Sequence, residues 1–259
     1  MNILQTIVER KRVEVAERKI FNPIEKLMDS VLYQRQTISL VEGLQKNGAS
    51  GIIAEFKRKS PSKGIINDRV DPVKVTFDYQ TAGASAVSIL TDADFFGGSE
   101  KDLLACRSVL DIPILRKDFV VDRHQLHEAK AIGADLILLI AACLTPDEVV
   151  DLTAEAHAIG LEVLLELHDE DELNHVSTDV DLVGINNRSL KTFDVDIERS
   201  LRMAAAIPGN MPKVAESGID DPSQIRIFKE NGYKAFLIGE NFMKREDPGQ
   251  ALKAFIDNI

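Results

Sequence analysis

The sequence predicts an α/β fold: a (β/α)8 TIM barrel over residues 49–259, preceded by an N-terminal helical extension over residues 1–48. Three observations carry this. Past residue 49, eight short runs rich in Val, Ile and Leu alternate with amphipathic stretches. Runs that short and that apolar suit strands buried on both faces. Eight strand–helix units in about 210 residues is the spacing of a closed barrel. An open doubly wound sheet would have fewer units and a Gly-rich fingerprint after its first strand. Here the first run leads instead into EFKRKSPSKG, residues 55–64. No linker or low-complexity stretch divides the chain, so one domain is expected.

Taken in order, Ile3, Leu4, Ile7, Val8, Val13 and Val15 fall at helical spacing, so a helix is expected to about Lys19. Asn22-Pro23 stops it and starts a second short helix to about Ser30. This pair is expected to cover part of the core, with partner binding or substrate capping as the alternative. Strands are expected at Ile52–Phe56, Ala86–Leu90, Pro113–Arg116, Asp135–Ala141, Glu162–Leu167, Leu182–Ile185, Lys213–Ala215 and Ala235–Ile238. Helical stretches are expected at about Pro72–Ala82, Lys101–Leu110, Arg123–Ile132, Pro146–Ile159, Glu170–His175, Ile197–Ala206, Pro222–Asn231 and Pro248–Ile256. Asp71-Pro72, Thr145-Pro146 and Asp221-Pro222 read as an N-cap followed by an N1 proline. Gly83, Gly133, Gly160 and Gly232 sit where helices end.

Composition narrows the function. Of 259 residues, 44% are hydrophobic and 28% charged, an ordinary globular balance. A chain this long buries a core without disulfides. Cys106 and Cys143 form no CxxC pair, which fits a reducing, cytoplasmic compartment. Charges recur through MNILQTIVERKRVEVAERK, so no signal peptide is expected. The longest apolar stretch, Leu136–Cys143, is too short to span a membrane. Asp and Glu total 42 against 31 Lys and Arg, a net charge of −11. That sign disfavours nucleic acid and anionic membranes as partners. It leaves room for an anionic small molecule wherever cations cluster locally.

In a barrel, chemistry gathers at the C-terminal ends of the strands. Those ends carry Glu55, Lys57 and Lys59; Thr91 and Asp92; Lys117 and Asp118; Glu166 and His168; Asn186, Asn187 and Arg188; Glu216, Ser217 and Gly218; and Gly239, Glu240 and Asn241. Lys57, Lys117, Glu55, Glu166 and Glu216 are therefore expected to share one pocket. Burying so many charges together costs desolvation energy, so the crowding points to function. The ends after the last two strands carry glycine, which lets backbone N–H groups approach an anion. A phosphorylated substrate is expected there.

The segment Ile52-Ile53-Ala54-Glu55-Phe56-Lys57-Arg58-Lys59-Ser60-Pro61-Ser62 resembles the hallmark of indole-3-glycerol phosphate synthases. Matches continue at Leu90-Thr91-Asp92, Phe95–Ser99, Leu115–Phe119, Leu165–Asp169, Gly184–Leu190 and Ala215–Ile219. They run in order across the chain and fall on expected strand ends. The resemblance implies a carboxy-lyase of tryptophan biosynthesis. Its substrate would be 1-(o-carboxyphenylamino)-1-deoxyribulose 5-phosphate, and its products indole-3-glycerol phosphate, carbon dioxide and water. No metal and no organic cofactor is implied. The expected state is a monomer, at most weakly associated with neighbouring pathway enzymes.

By the same resemblance, Lys117 is the general acid at the substrate carbonyl and Glu166 the acid–base group of dehydration. Lys57 engages substrate anions and shares the acid–base work. Glu55 and Glu216 orient the lysines and substrate hydroxyls, and Asn186 bonds the substrate. Ser60 and Arg188 take the benzoate carboxylate, for which the arginine fork suits. Ser217, Gly218, Gly239 and Glu240 hold the phosphate through their backbone. Phe96, Phe119, Leu138 and Leu190 receive the anthranilate ring, with core packing the alternative for all four. Burial would raise the Glu166 pKa while the lysines oppose it. Two features depart from some relatives. Glu240 replaces a serine, so its side chain is expected to point away from a phosphate. No Trp is present, so Ile3, Leu4 or Ile7 would replace ring contact from the extension.

Weaker candidates remain. His124 and His127 read as an exposed helical pair, His168 as near the mouth but not central, and Cys143 as a packed thiol. The rival functions are another phosphate-binding barrel such as phosphoribosylanthranilate isomerase, a Schiff-base enzyme using Lys117, and a catalytically dead binding barrel.

Overall fold

The computed structural model describes residues 3–61, 63–189 and 194–259. Three helices come first: α1 (Ile3–Phe21), α2 (Ile24–Met28) and α3 (Leu40–Leu44). Strand β1 (Ile52–Phe56) is followed by a small hairpin of β2 (Lys59–Ser60) and β3 (Gly64–Ile65). The alternation then runs α4 (Pro72–Ala82), β4 (Ala86–Leu90), α5 (Glu100–Arg107), β5 (Ile114–Lys117), α6 (His124–Ala131), β6 (Leu136–Ile140), α7 (Pro146–Ala158) and β7 (Glu162–Leu167). It continues with β8 (Leu182–Asn186), α8 (Ile197–Ala206), β9 (Lys213–Glu216), α9 (Pro222–Glu230), β10 (Tyr233–Ile238), α10 (Glu240–Met243) and α11 (Pro248–Ile256). Eight parallel strands close in the order β1, β4, β5, β6, β7, β8, β9, β10 and back to β1.

The punctuation works as its chemistry requires. Asp71, Thr145 and Asp221 accept N–H bonds from the first turns of α4, α7 and α9, each with proline at the helix start. Gly83, Gly133, Gly160 and Gly232 all have positive φ. One expected helix differs. Glu170–His175 is a 3-10 turn of six residues, too short to repay helix nucleation. Strand β6 stops at Ile140, and Ala141–Cys143 coils into another 3-10 turn.

Alternation along the strands builds two cores. Ile53, Ala86, Leu115, Leu138, Leu164, Leu182, Val214 and Ala235 meet inside the barrel. Their neighbours, such as Ile52, Ala54, Val87, Leu165 and Ala215, face the helices. At the N-terminal end, Leu40 of α3 is fully buried in the inner cluster and plugs the barrel. Backbone N–H of Leu40 donates to Glu162 Oε2 at 2.8 Å, fixing the plug to the foot of β7.

The extension runs from mouth to base. Lys11 of α1 is buried, with Nζ 3.0 Å from both Asp92 and Asp118, just past the ends of β4 and β5. Ser30 then reaches the carbonyl of Ala131 at the end of α6, and Arg35 pairs with Asp135 at 2.6 Å. This path corrects one expectation. His124 and His127 are not exposed: both are buried, because the extension lies over α6 and all of His124–Ala131 is covered. His124 Nε2 is 2.7 Å from the Asn22 carbonyl oxygen. His127 sits between Tyr33 Oη at 2.6 Å and Glu155 Oε1 at 3.0 Å. A helix covered on both faces cannot be read from its own periodicity.

Candidate active site

The inward face of each strand continues past the barrel core into one cavity of about 480 Å³. Period two explains who enters it. Above Ile53 come Glu55 and Lys57; above Leu115 come Lys117 and Phe119; above Leu164 come Glu166 and His168. Gly184 precedes Asn186 and Arg188, and Glu216 follows Val214. The cavity is lined by these side chains together with Ser60, Phe96, Leu138, Ser217, Gly218, Gly239 and Glu240. Leu190, expected at the ring, lies outside the described residues. Lys59 does not line the cavity; its Nζ donates to the Asp94 carbonyl at 2.9 Å and braces the 92–98 loop.

Lys117 is the electrostatic centre. Its Nζ donates to Glu166 Oε2 at 2.6 Å and to Glu216 Oε2 at 2.9 Å. Burial alone would lower its pKa, but Glu166, Glu216 and Glu55 outweigh that and raise it. The amine is therefore an ammonium at neutral pH. Glu166 resolves the competition posed by its sequence. Burial pushes its pKa up, yet Lys117 and His168 hold it well below the usual carboxylate range. Asn186 Nδ2 donates to Glu166 Oε1 at 2.8 Å, and His168 Nε2 lies 2.9 Å from the same oxygen. His168 is thus central. Glu216 shifts the other way, to about 7, through burial and the Glu166 charge. Lys57 Nζ pairs with Glu55 Oε1 at 2.5 Å. Two glycines make room for these carboxylates. A Cβ on Gly184 would overlap Glu216, and one on Gly239 would overlap Glu55.

The cavity has an apolar wall and an anion-binding rim. Phe96 and Phe119 stand with ring centroids 5.8 Å apart. Asp92 accepts from the Phe95 and Phe96 N–H groups and so shapes that wall. Leu4 of α1 joins the lining, whereas Ile3 and Ile7 do not. Opposite, Ser217 and Gly218 both have positive φ, at 64° and 69°. For Ser217 this backbone form is strained by about 1–2 kcal/mol. Asn187 Nδ2 holds the Ser217 carbonyl at 2.7 Å. Gly239 opens α10, whose first N–H groups have no partner within the helix. Glu240 leans to the rim cations, 3.8 Å from Lys63 and 3.9 Å from Arg188. Among the described residues, no group of three His, Cys, Asp or Glu is arranged to hold a metal ion, and no helix is long and apolar enough to cross a membrane.

Sequence comparison meets this geometry. The family profile described as indole-3-glycerol phosphate synthase matches residues 4–255. The chain belongs to this family. It is 46% identical over 258 residues to an indole-3-glycerol phosphate synthase of Bacteroides thetaiotaomicron, covering 100% of this chain and 99% of that one. It is 40% identical to that of Polynucleobacter asymbioticus, with 97% of each chain covered. Solved structures add the fold. 3-Hexulose-6-phosphate synthase superposes with a TM-score of 0.62 at 12% identity, covering 81% of this chain and 99% of that one. The tryptophan synthase alpha chain of Legionella pneumophila gives 0.61 at 14% identity, covering 85% and 93%. As an indole-3-glycerol phosphate synthase family member, the chain is a decarboxylating lyase of tryptophan biosynthesis.

Some cavity residues escaped the sequence reading. Leu237 shares the inward face with Ala235 and Gly239, so alternation alone could have found it. Val195, Asp220 and Lys244 also line the cavity. They lie beyond strand ends, where no periodicity applies.

Proposed function

We propose that this cavity closes the indole ring of 1-(o-carboxyphenylamino)-1-deoxyribulose 5-phosphate. Lys117 polarises and protonates the substrate carbonyl as the aromatic carbon attacks it. The surrounding carboxylates keep that lysine charged and aimed. Carbon dioxide then leaves, and dehydration completes the indole. Glu166 starts ionised, so it first takes a proton and then returns it as the hydroxyl departs. Glu216 and Glu55 orient Lys117 and Lys57, and Asn186 steers Glu166 and the substrate.

Ser60 and Arg188 hold the benzoate carboxylate until cyclisation is done. The backbone at Ser217, Gly218, Gly239 and Glu240, with Lys57, receives the phosphate. Phe96, Phe119, Leu138 and Leu4 take the ring. The protein works as a monomer in the cytoplasm. One observation carries the mechanism: the Lys117 ammonium clamped between Glu166 and Glu216. It also disfavours the Schiff-base rival, which needs a neutral amine. Borohydride added during turnover is expected to leave Lys117 unmodified. Lys117→Ala and Glu166→Ala should each lose most turnover with the far-UV dichroism unchanged. Near-normal turnover in both rejects these roles.

A further inference from the structure

His168 is 3% exposed and points into the cavity two residues beyond Glu166. Its Nε2 lies 2.9 Å from Glu166 Oε1. Neither ring nitrogen makes a well-aligned hydrogen bond. On its far side, Nδ1 faces Glu172 Oε2 at 4.0 Å, and the His168 backbone N–H donates to that same oxygen at 2.6 Å. Glu172 thus anchors the peptide that carries the ring. Such a buried, unaligned imidazole costs stability unless its charge is used.

Every element packed around the ring contributes to its field. Burial would lower its pKa, but Glu166 on β7, Glu172 on the 3-10 turn and Glu216 on β9 outweigh that and raise it. Lys117 on β5 stands across Glu166. Cys143, after β6, is pushed up to about 12 by burial and the nearby carboxylates, so its thiol stays neutral.

We infer that His168 is a positioning residue for dehydration: a cationic imidazole that keeps Glu166 ionised and fixes the direction of its Oε1. This rests on the acid–base role given to Glu166 above. Oε2 of Glu166 is taken by Lys117, so Oε1 is the oxygen that Asn186 and His168 orient. Removing the imidazolium removes one of two cations facing the carboxylate. The anionic form is then less favoured, and its pKa rises.

The test is the pH profile of kcat at saturating substrate. His168→Gln should move the acid limb of kcat up by about one pH unit, which lowers kcat up to about tenfold on that limb and leaves the neutral plateau little changed. KM should change less than about twofold. Glu172→Gln keeps the ring but weakens its charge, and should move the same limb up by a smaller amount; this variant decides the matter should His168→Gln fold poorly. On a Glu166→Gln background, His168→Gln should cost less than about twofold of the residual rate, because the group it acts through is gone. An unmoved acid limb, or an undiminished cost on that background, overturns the inference while leaving Glu166 in place. A near-normal Glu166→Gln enzyme instead overturns the Glu166 role, and the inference with it.

Discussion

Gly184 offers a test of the site that changes no charged group. It lies mid-strand in β8 with its inward side facing Glu216. A Cβ there would overlap Glu216 Oε1 and approach Glu216 Cδ and Leu164 Cδ1 at 3.3 Å. Its φ is not in the left-handed region, so Gly184→Ala adds no backbone strain. The carboxylate must retreat by roughly 1 Å to restore ordinary contact. The Glu216–Lys117 bond is made by the other oxygen, Oε2, at 2.9 Å, and it lengthens as the whole carboxylate is pushed back. Displacing a catalytic group by about 1 Å costs on the order of 100-fold in rate, equivalent to about 2.7 kcal/mol of barrier. The expected result is a kcat lowered about 100-fold with the urea midpoint little changed. The adjacent Ile185→Val, which faces the helices, should do the reverse: about 1 kcal/mol less stability and unchanged kcat. A Gly184→Ala enzyme at wild-type kcat would refute the claim that Glu216 must clamp Lys117.

Other expectations follow from the same packing. Lys11→Met leaves Asp92 and Asp118 buried without their shared ammonium and should cost about 3 kcal/mol in urea unfolding at pH 7; a loss below about 0.5 kcal/mol would contradict it. Asp118, despite burial, has its pKa lowered by Arg116 and Lys11. Its stabilisation is complete above about pH 4 and lost as pH falls, so Lys11→Met should weaken that acid dependence. Glu216 has the opposite sign: raised to about 7, it contributes stability that is full below about pH 4 and lost as pH rises through 7. Glu216→Gln should therefore flatten the loss of unfolding free energy between about pH 5 and 8, while turnover falls. Arg188→Ala should raise KM far more than it lowers kcat, and an unchanged KM would contradict a carboxylate contact.

The barrel was legible because local signals and global closure agree. Ile52–Phe56, Ala86–Leu90 and Glu162–Leu167 are apolar runs bounded by polar residues, and they form strands with those bounds. Pro72–Ala82, Ile197–Ala206 and Pro248–Ile256 carry their own caps. Strand β10 starts two residues early, at Tyr233, because the exposed Lys234 breaks the apolar run that marked it. The plug helix α3 is too short to show a period, and what makes it matter is the distant foot of β7. The same holds for His124 and His127, buried by a segment remote in sequence. Inward strand ends placed most of the site, since period two fixes which side chains enter the cavity. The pKa order of the carboxylates was not legible. It depends on which oxygen meets Lys117 and on His168, and both are three-dimensional facts.

The assignment of Lys117 is met most directly by turnover of 1-(o-carboxyphenylamino)-1-deoxyribulose 5-phosphate in EDTA, followed by indole fluorescence, with wild type beside Lys117→Ala. Sustained wild-type turnover is expected, with a loss of about 1000-fold in the variant at unchanged fold. A folded wild-type protein that yields no indole, or a Lys117→Ala enzyme within about tenfold of wild type, would contradict it.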